Sequence, residues 1–259
     1  MIGKSGRGKT LVFISYSSAQ KDIADELHKH LERCGISAFF SEVDIPPGAA
    51  WRSNIRENMD ECEYFVMILT GDYRRSLFAD QEFGMAHMGK KEMRIIKFDE
   101  MMPYGFMEEY QHIKKEDVET DNKIDMCKLI EMIFSYDKDY IINYYISALE
   151  NPRGSFDSVR FYNKKLETLN PDLTKEQINQ IAKAYVSNCQ LHQAVGIDYI
   201  VSLISDSESK IDEKYCEKLK VGFVCNKQFK SHKVESIIKM SAAEIMSRYE
   251  EADLGLLGY

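Results

Sequence analysis

Residues 64–70 read YFVMILT, an apolar run that ends in threonine. A strand with one wet face alternates polar and apolar residues, so an unbroken run predicts a strand covered on both sides. Strand and helix signals alternate around it. TLVFISY at 10–16 predicts a first strand, and QKDIADELHKHLERCG at 20–35 a helix with Ile23, Leu27, Leu31 and Cys34 on one face, stopped by Gly35. ISAFF at 36–40 predicts a second strand, SEVDIPPGAAW at 41–51 a Pro/Gly loop, and a helix follows from about Arg52 to Glu61. Beyond the central run come a helix in SLFADQEFGMAHMGK (76–90), a fourth strand in MRIIKF (93–98), a fifth near HIKKEDV (112–118) and a helix near DMCKLIEMIFSY (125–136). This order predicts a parallel sheet with helices on both faces.

After about Asp137 the texture changes. YIINYYISALE, FDSVRFYNKKLETL, TKEQINQIAKAYVSN and AAEIMSRYEEA carry helical spacing, Thr174 with Gln177 and Ser241 with Glu244 fit capping boxes, and NPRGS (151–155) predicts a turn. The expected organisation is a tail at 1–9, an α/β domain at 10–136 and a mostly helical domain at 137–259.

The chain has 259 residues, 44% hydrophobic and 29% charged, with a net charge of −8. That charge argues against a general nucleic-acid binder, which needs a cationic face. The cysteines, Cys34, Cys62, Cys127, Cys189, Cys216 and Cys225, form no C-x-x-C pair, as expected of free thiols in a reducing cytosol and not of a zinc site. No apolar run approaches a membrane span, and a cytoplasmic protein is expected. GKSGRGKT at 3–10 fits the phosphate-loop pattern, but only Met1 and Ile2 precede it here and LVFISY follows as a strand, not as the helix whose N–H groups would face a phosphate. The expected state is a basic tail.

Three segments together resemble one family. VFISYSSAQKD (12–22), FFSEVDIPPGAAW (39–51) and SLFADQEFGMA (76–86) are similar, in order, to the opening strand and loop, the Pro-Gly loop and the aromatic-x-x-x-Glu helix of the Toll/interleukin-1 receptor (TIR) domain. The resemblance covers roughly residues 10–135. It implies a flavodoxin-like fold and, in enzymatic members, cleavage of the nicotinamide–ribose bond of NAD+ by one glutamate, which by position is Glu82. Nicotinamide leaves NAD+ as a neutral ring from a cationic one, so a single carboxylate steadying the oxocarbenium-like sugar suffices.

Phe78 and Glu82 lie four residues apart on one helical face, where an aromatic wall desolvates the acid and offers a stacking surface. Tyr16 and Ser17, past the first strand's carboxyl end, are candidate substrate contacts, although a tyrosine there serves equally to cap the core. Of Phe39, Phe40 and Glu42, at least one phenylalanine belongs to the core and Glu42 is the candidate for the cleft. Pro46, Pro47 and Gly48 stiffen a loop able to gate that cleft, and Trp51 stands one position beyond the family's usual bulky residue. His87 lies too far around the helix from Glu82 to be its acid–base partner. Cys62 and Cys127 read as small buried hydrophobes.

The implied activity is that of an NAD+ nucleosidase or an ADP-ribosyl cyclase of the bacterial antiphage-defence type, giving nicotinamide and ADP-ribose or a cyclic ADP-ribose signal. No cofactor or metal is implied, because NAD+ is the substrate. Expected partners are further copies of the chain, through the TIR region or the C-terminal helices, and an effector protein responding to the product. Neither nucleic acid nor a membrane is expected. The alternative is a non-catalytic adaptor acting through TIR–TIR contacts. Residues 137–259 are expected to be a sensor or oligomerisation module, or a helical pad.

Overall fold

The computed structural model describes residues 11–40, 51–150, 156–169, 172–187, 191, 202–203, 206–216 and 218–219. The chain divides into two compact units, Met1–Ile141 and Ile142–Tyr259.

The first unit alternates as the sequence predicts. Its elements are β1 (Val12–Ser15), α1 (Lys21–Arg33), β2 (Ala38–Phe39), α2 (Trp51–Glu61), β3 (Tyr64–Leu69), α3 (Gly71–Arg75), α4 (Leu77–Met88), β4 (Glu92–Lys97), β5 (His112–Lys114) and α5 (Met126–Ile133). The five strands form one sheet in the order β2-β1-β3-β4-β5, and every neighbouring pair is parallel. All six residues of β3 are buried, which explains its unbroken apolar run. Successive side chains alternate between faces. Phe13, Phe65, Met67, Leu69 and Ile95 therefore share one face and pack with Ile55 and Met59 of α2 and Ala79, Phe83 and Ala86 of α4. On the other face Tyr64 meets Phe134 edge-on at 4.8 Å.

Local chemistry sets the boundaries. Gly35, at φ +74°, takes the left-handed conformation that ends α1, with Gly35 N–H donating to Glu32 O and Ile36 N–H to Leu31 O. Sequence reading missed two features. One is α3, a single turn capped by Thr70 Oγ1, which accepts Tyr73 N–H at 3.2 Å. The other is a hairpin of β6 (Glu119–Thr120) and β7 (Lys123–Ile124), whose turn residues Asp121 and Asn122 both have positive φ, as a tight hairpin turn demands.

The second unit is helical where described, with α6 (Lys138–Glu150) leading into it, then α7 (Phe156–Leu169) and α8 (Lys175–Ser187). The Thr174–Gln177 capping box is formed: Gln177 N–H donates to Thr174 Oγ1 at 3.2 Å and Thr174 N–H to Gln177 Oε1 at 3.0 Å. Expectations for the phosphate-loop pattern, the 41–50 loop, the 151–155 turn and the Ser241–Glu244 box fall outside the described residues. The phosphate-loop pattern ends before β1 begins at Val12.

Phe65 is fully buried and stacks 5.7 Å from Phe13. Phe65→Ala is expected to lower stability by about 3–5 kcal/mol, read by urea unfolding.

Candidate active site

The strand order reverses direction between β1 and β3. In an open parallel sheet the strand-end crevice at such a switch point is where ligands bind. Ser15 closes β1 there, opposite Met67 of β3. It shares a face with Phe13, but at the strand end the sequence changes from hydrocarbon to hydroxyl.

The acid arrives from α4. Ala79, Phe83 and Ala86 are its buried residues, and Glu82 stands within their stripe at the i+3 position. A carboxyl group in that position is partly desolvated and needs a polar partner. Ser15 Oγ supplies it, 2.6 Å from Glu82 Oε2. Burial pushes the Glu82 carboxyl up to about 7, against the opposing pull of the Ser15 hydrogen bond.

Behind Ser15 lies Tyr73, fully buried, its Oη 2.9 Å from Ser15 Oγ and donating to Ala79 O at 2.9 Å. Burial raises the Tyr73 phenol well above its usual range. Back-to-back caps fix these positions: Thr70 starts α3, and Ser76 both ends α3 and starts α4 by accepting Ala79 N–H at 3.3 Å. Gln20 joins the loops after β1 and β3, its Oε1 accepting from Thr70 Oγ1 at 2.9 Å and from Ser17 Oγ.

The other candidates fall differently around this centre. Ser17 is buried and engaged with Gln20. Tyr16 is half-buried and stacks at 5.0 Å on Phe40, which stacks at 5.5 Å on His28. Phe39 and Phe40 are both buried. Phe78 is 47% exposed, so Ala79, Phe83 and Ala86 are the helix residues that line the core beside the acid. Glu42 and the Trp51 side chain lie outside the described residues. His87 is engaged elsewhere, with Nδ1 2.8 Å from Tyr110 Oη and its ring 4.9 Å from Phe106. The Cys62 thiol is buried and pushed up to about 11, the behaviour of an inert core thiol, whereas Cys127 is only partly buried.

Sequence reading missed Ser15 and Tyr73. A lone serine in an apolar strand is a usable signal, because a buried hydroxyl needs a partner. Tyr73 gives none, since its role depends on how a short capped helix packs.

The TIR domain family model matches residues 12–129. Among curated proteins none matches this sequence. The solved TIR domain of the Toll-related receptor TRR-2 from Hydra magnipapillata is similar over 50% of this chain and 96% of its own, at 17% identity and a TM-score of 0.39. Residues 12–129 are thus similar to a TIR domain in sequence and carry a five-stranded parallel sheet with flanking helices. No helix among the described residues is long and apolar enough to cross a membrane.

The raised Glu82 value carries a stability consequence. An ordinary glutamate titrates near 4.5, so between there and about 7 the folded protein holds a proton the unfolded chain has lost. Stability from this group is present below that window and is lost as pH rises through it. Glu82→Gln, a mimic of the neutral acid, should raise Tm at pH 8 by about 2–4 °C and change it little at pH 5, by differential scanning calorimetry.

Proposed function

We propose that this protein cleaves the bond between nicotinamide and ribose in NAD+, with Glu82 as the catalytic carboxylate. The observation that carries the reading is the Glu82 carboxyl, partly desolvated and hydrogen-bonded to Ser15 at the sheet's switch point. An exposed helix glutamate has no such setting.

The chemistry follows from charge. As the C1′–N1 bond lengthens, its electron pair moves to the pyridine ring, which leaves neutral, and positive charge grows on the sugar. An ionised carboxylate in a low-dielectric site stabilises that charge more strongly than water does. It also holds the ribose hydroxyls in place for attack. Water adding at C1′ gives ADP-ribose and releases a proton, while an adenine nitrogen or ribose hydroxyl adding there gives a cyclic product. Tyr16, just past the end of β1, is an aromatic candidate for the substrate, and Phe78 is a candidate stacking surface on α4. Phe78 and Trp51 enter this proposal through the family resemblance, and Glu42 through its place at the end of the second strand. A role in antiphage defence, with the C-terminal unit as sensor or oligomerisation module, belongs to the same proposal.

A second reading is the TIR adaptor. It is favoured by large apolar side chains left in solvent, Leu77 at 78%, Met88 at 79% and Phe106 at 64% exposure, which suit contacts between copies. The two readings separate on turnover.

The test incubates full-length protein with NAD+ and resolves products by mass spectrometry. Wild type should release nicotinamide, and Glu82→Gln should lose at least about 3 kcal/mol of barrier lowering, roughly a hundredfold in kcat/KM. Equal turnover in the variant contradicts the assignment. Because the ionised form acts, kcat/KM should climb with pH through an inflection near 7, where the carboxyl loses its proton, and then level off.

A further inference from the structure

The Glu82 cluster joins four oxygens by three links and has two hydroxyl protons to fill them. Three links run in series: Glu82 Oε2 to Ser15 Oγ at 2.6 Å, Ser15 Oγ to Tyr73 Oη at 2.9 Å, and Tyr73 Oη to Ala79 O at 2.9 Å. Each link needs a proton between its oxygens. The Ala79 carbonyl only accepts, so the Tyr73 proton lies on that link. Ser15 must then donate to Tyr73, which uses its single proton. The 2.6 Å link is filled only if Glu82 carries a proton and donates to Ser15.

We propose that Ser15 and Tyr73 are positioning residues that wire Glu82 into a reversible proton relay, complete when Glu82 is neutral and short of one link when it is ionised. In the neutral state the chain runs from Glu82 through Ser15 and Tyr73 to Ala79 O. Ionisation sends the proton to solvent and turns the Ser15 O–H toward the carboxylate. Tyr73 can then serve Ser15 or Ala79 O, but not both. The complete chain favours the acid, and a cationic ring beside Glu82 favours the carboxylate. That last step rests on the NAD+-cleaving reading; the relay itself is a property of the fold.

The surroundings leave the relay in control. α4 packs against α2, α3, β1 and β3. The facing polar groups are Ser15 from β1 and Tyr73 from α3. Asp80 and Tyr104 hydrogen-bond to each other at 2.5 Å and act on Tyr73, while burial and the Ser15 hydroxyl are what act on Glu82 among the described residues. No charged group of α2 or β3 figures in that set. The cooperative chain is also sheltered, because Ser15 and Tyr73 are both fully buried.

The experiment titrates the Glu82 carboxyl by NMR in full-length protein labelled with 13C at glutamate Cδ. The signal is assigned by its loss in Glu82→Gln. Tyr73→Phe keeps the buried ring and removes the end of the chain. The neutral state then loses two links and the ionised state one, so proton affinity should fall about tenfold, the scale of one hydrogen bond. Tyr73 hydrogen-bonds to Ser15 and Ala79 O, so a shift at Glu82 caused by removing its hydroxyl alone is not what a merely structural role produces. Unchanged or increased affinity in Tyr73→Phe, with the fold intact by circular dichroism, overturns the relay.

The titration needs no turnover, so the two proposals fail separately. Lowered proton affinity in Tyr73→Phe without NAD+ cleavage keeps the relay and removes the enzyme. Cleavage abolished by Glu82→Gln, with Tyr73→Phe titrating like wild type, keeps the enzyme and removes the relay.

Discussion

A carboxyl group on the buried stripe of a helix must find a polar partner or give up its charge. That constraint organises the first unit of this protein. Glu82 shares its helical stripe with Ala79, Phe83 and Ala86, and the partner it finds is Ser15, the last residue of strand β1. An alanine at 82 would complete an ordinary amphipathic helix. The glutamate instead meets Ser15 at the end of β1, and Tyr73 lies behind that serine. It stands half-buried beside the core despite its effect on stability, the pattern expected of a residue with a chemical role.

The rest of the fold places this cluster. Parallel order 2-1-3-4-5 creates one reversal, and the acid from the helix after β3 crosses it to reach β1. Contacts between neighbouring strand-end loops then fix the floor of the crevice. Gln20 accepts from both Ser17 and Thr70, so one side chain ties the loops after β1 and β3 together. The Ser17 hydroxyl is committed to that tie, and the Tyr16 ring is supported by Phe40 and His28. The chemistry of the reading thus narrows to Glu82, with rigid framework on the β1 side.

Much of the fold was legible in sequence because its signals are local. The apolar run of β3, the amphipathic face of α1 with its terminal Gly35 and the Thr174–Gln177 box each depend on neighbours within a few residues. Tight turns with weak composition were not: Thr70 capping α3, and an Asp-Asn turn in place of the usual Asn-Gly. Glu82 was reached through resemblance, with Phe78 as its expected wall. Its actual setting depends on long-range contacts, 67 residues apart for Ser15 and Glu82 and 58 for Ser15 and Tyr73, which no window of sequence displays.

The most direct test follows the charge of Glu82 as a positive ring comes beside it. Its 13C carboxyl resonance can be titrated in free protein and with a carbocyclic NAD+ analogue whose ring cannot be cleaved from the sugar. The account predicts a midpoint of about 7 in the free protein, falling when the analogue binds, because a nearby cation favours the ionised form. An ordinary glutamate midpoint that ignores the analogue would contradict it.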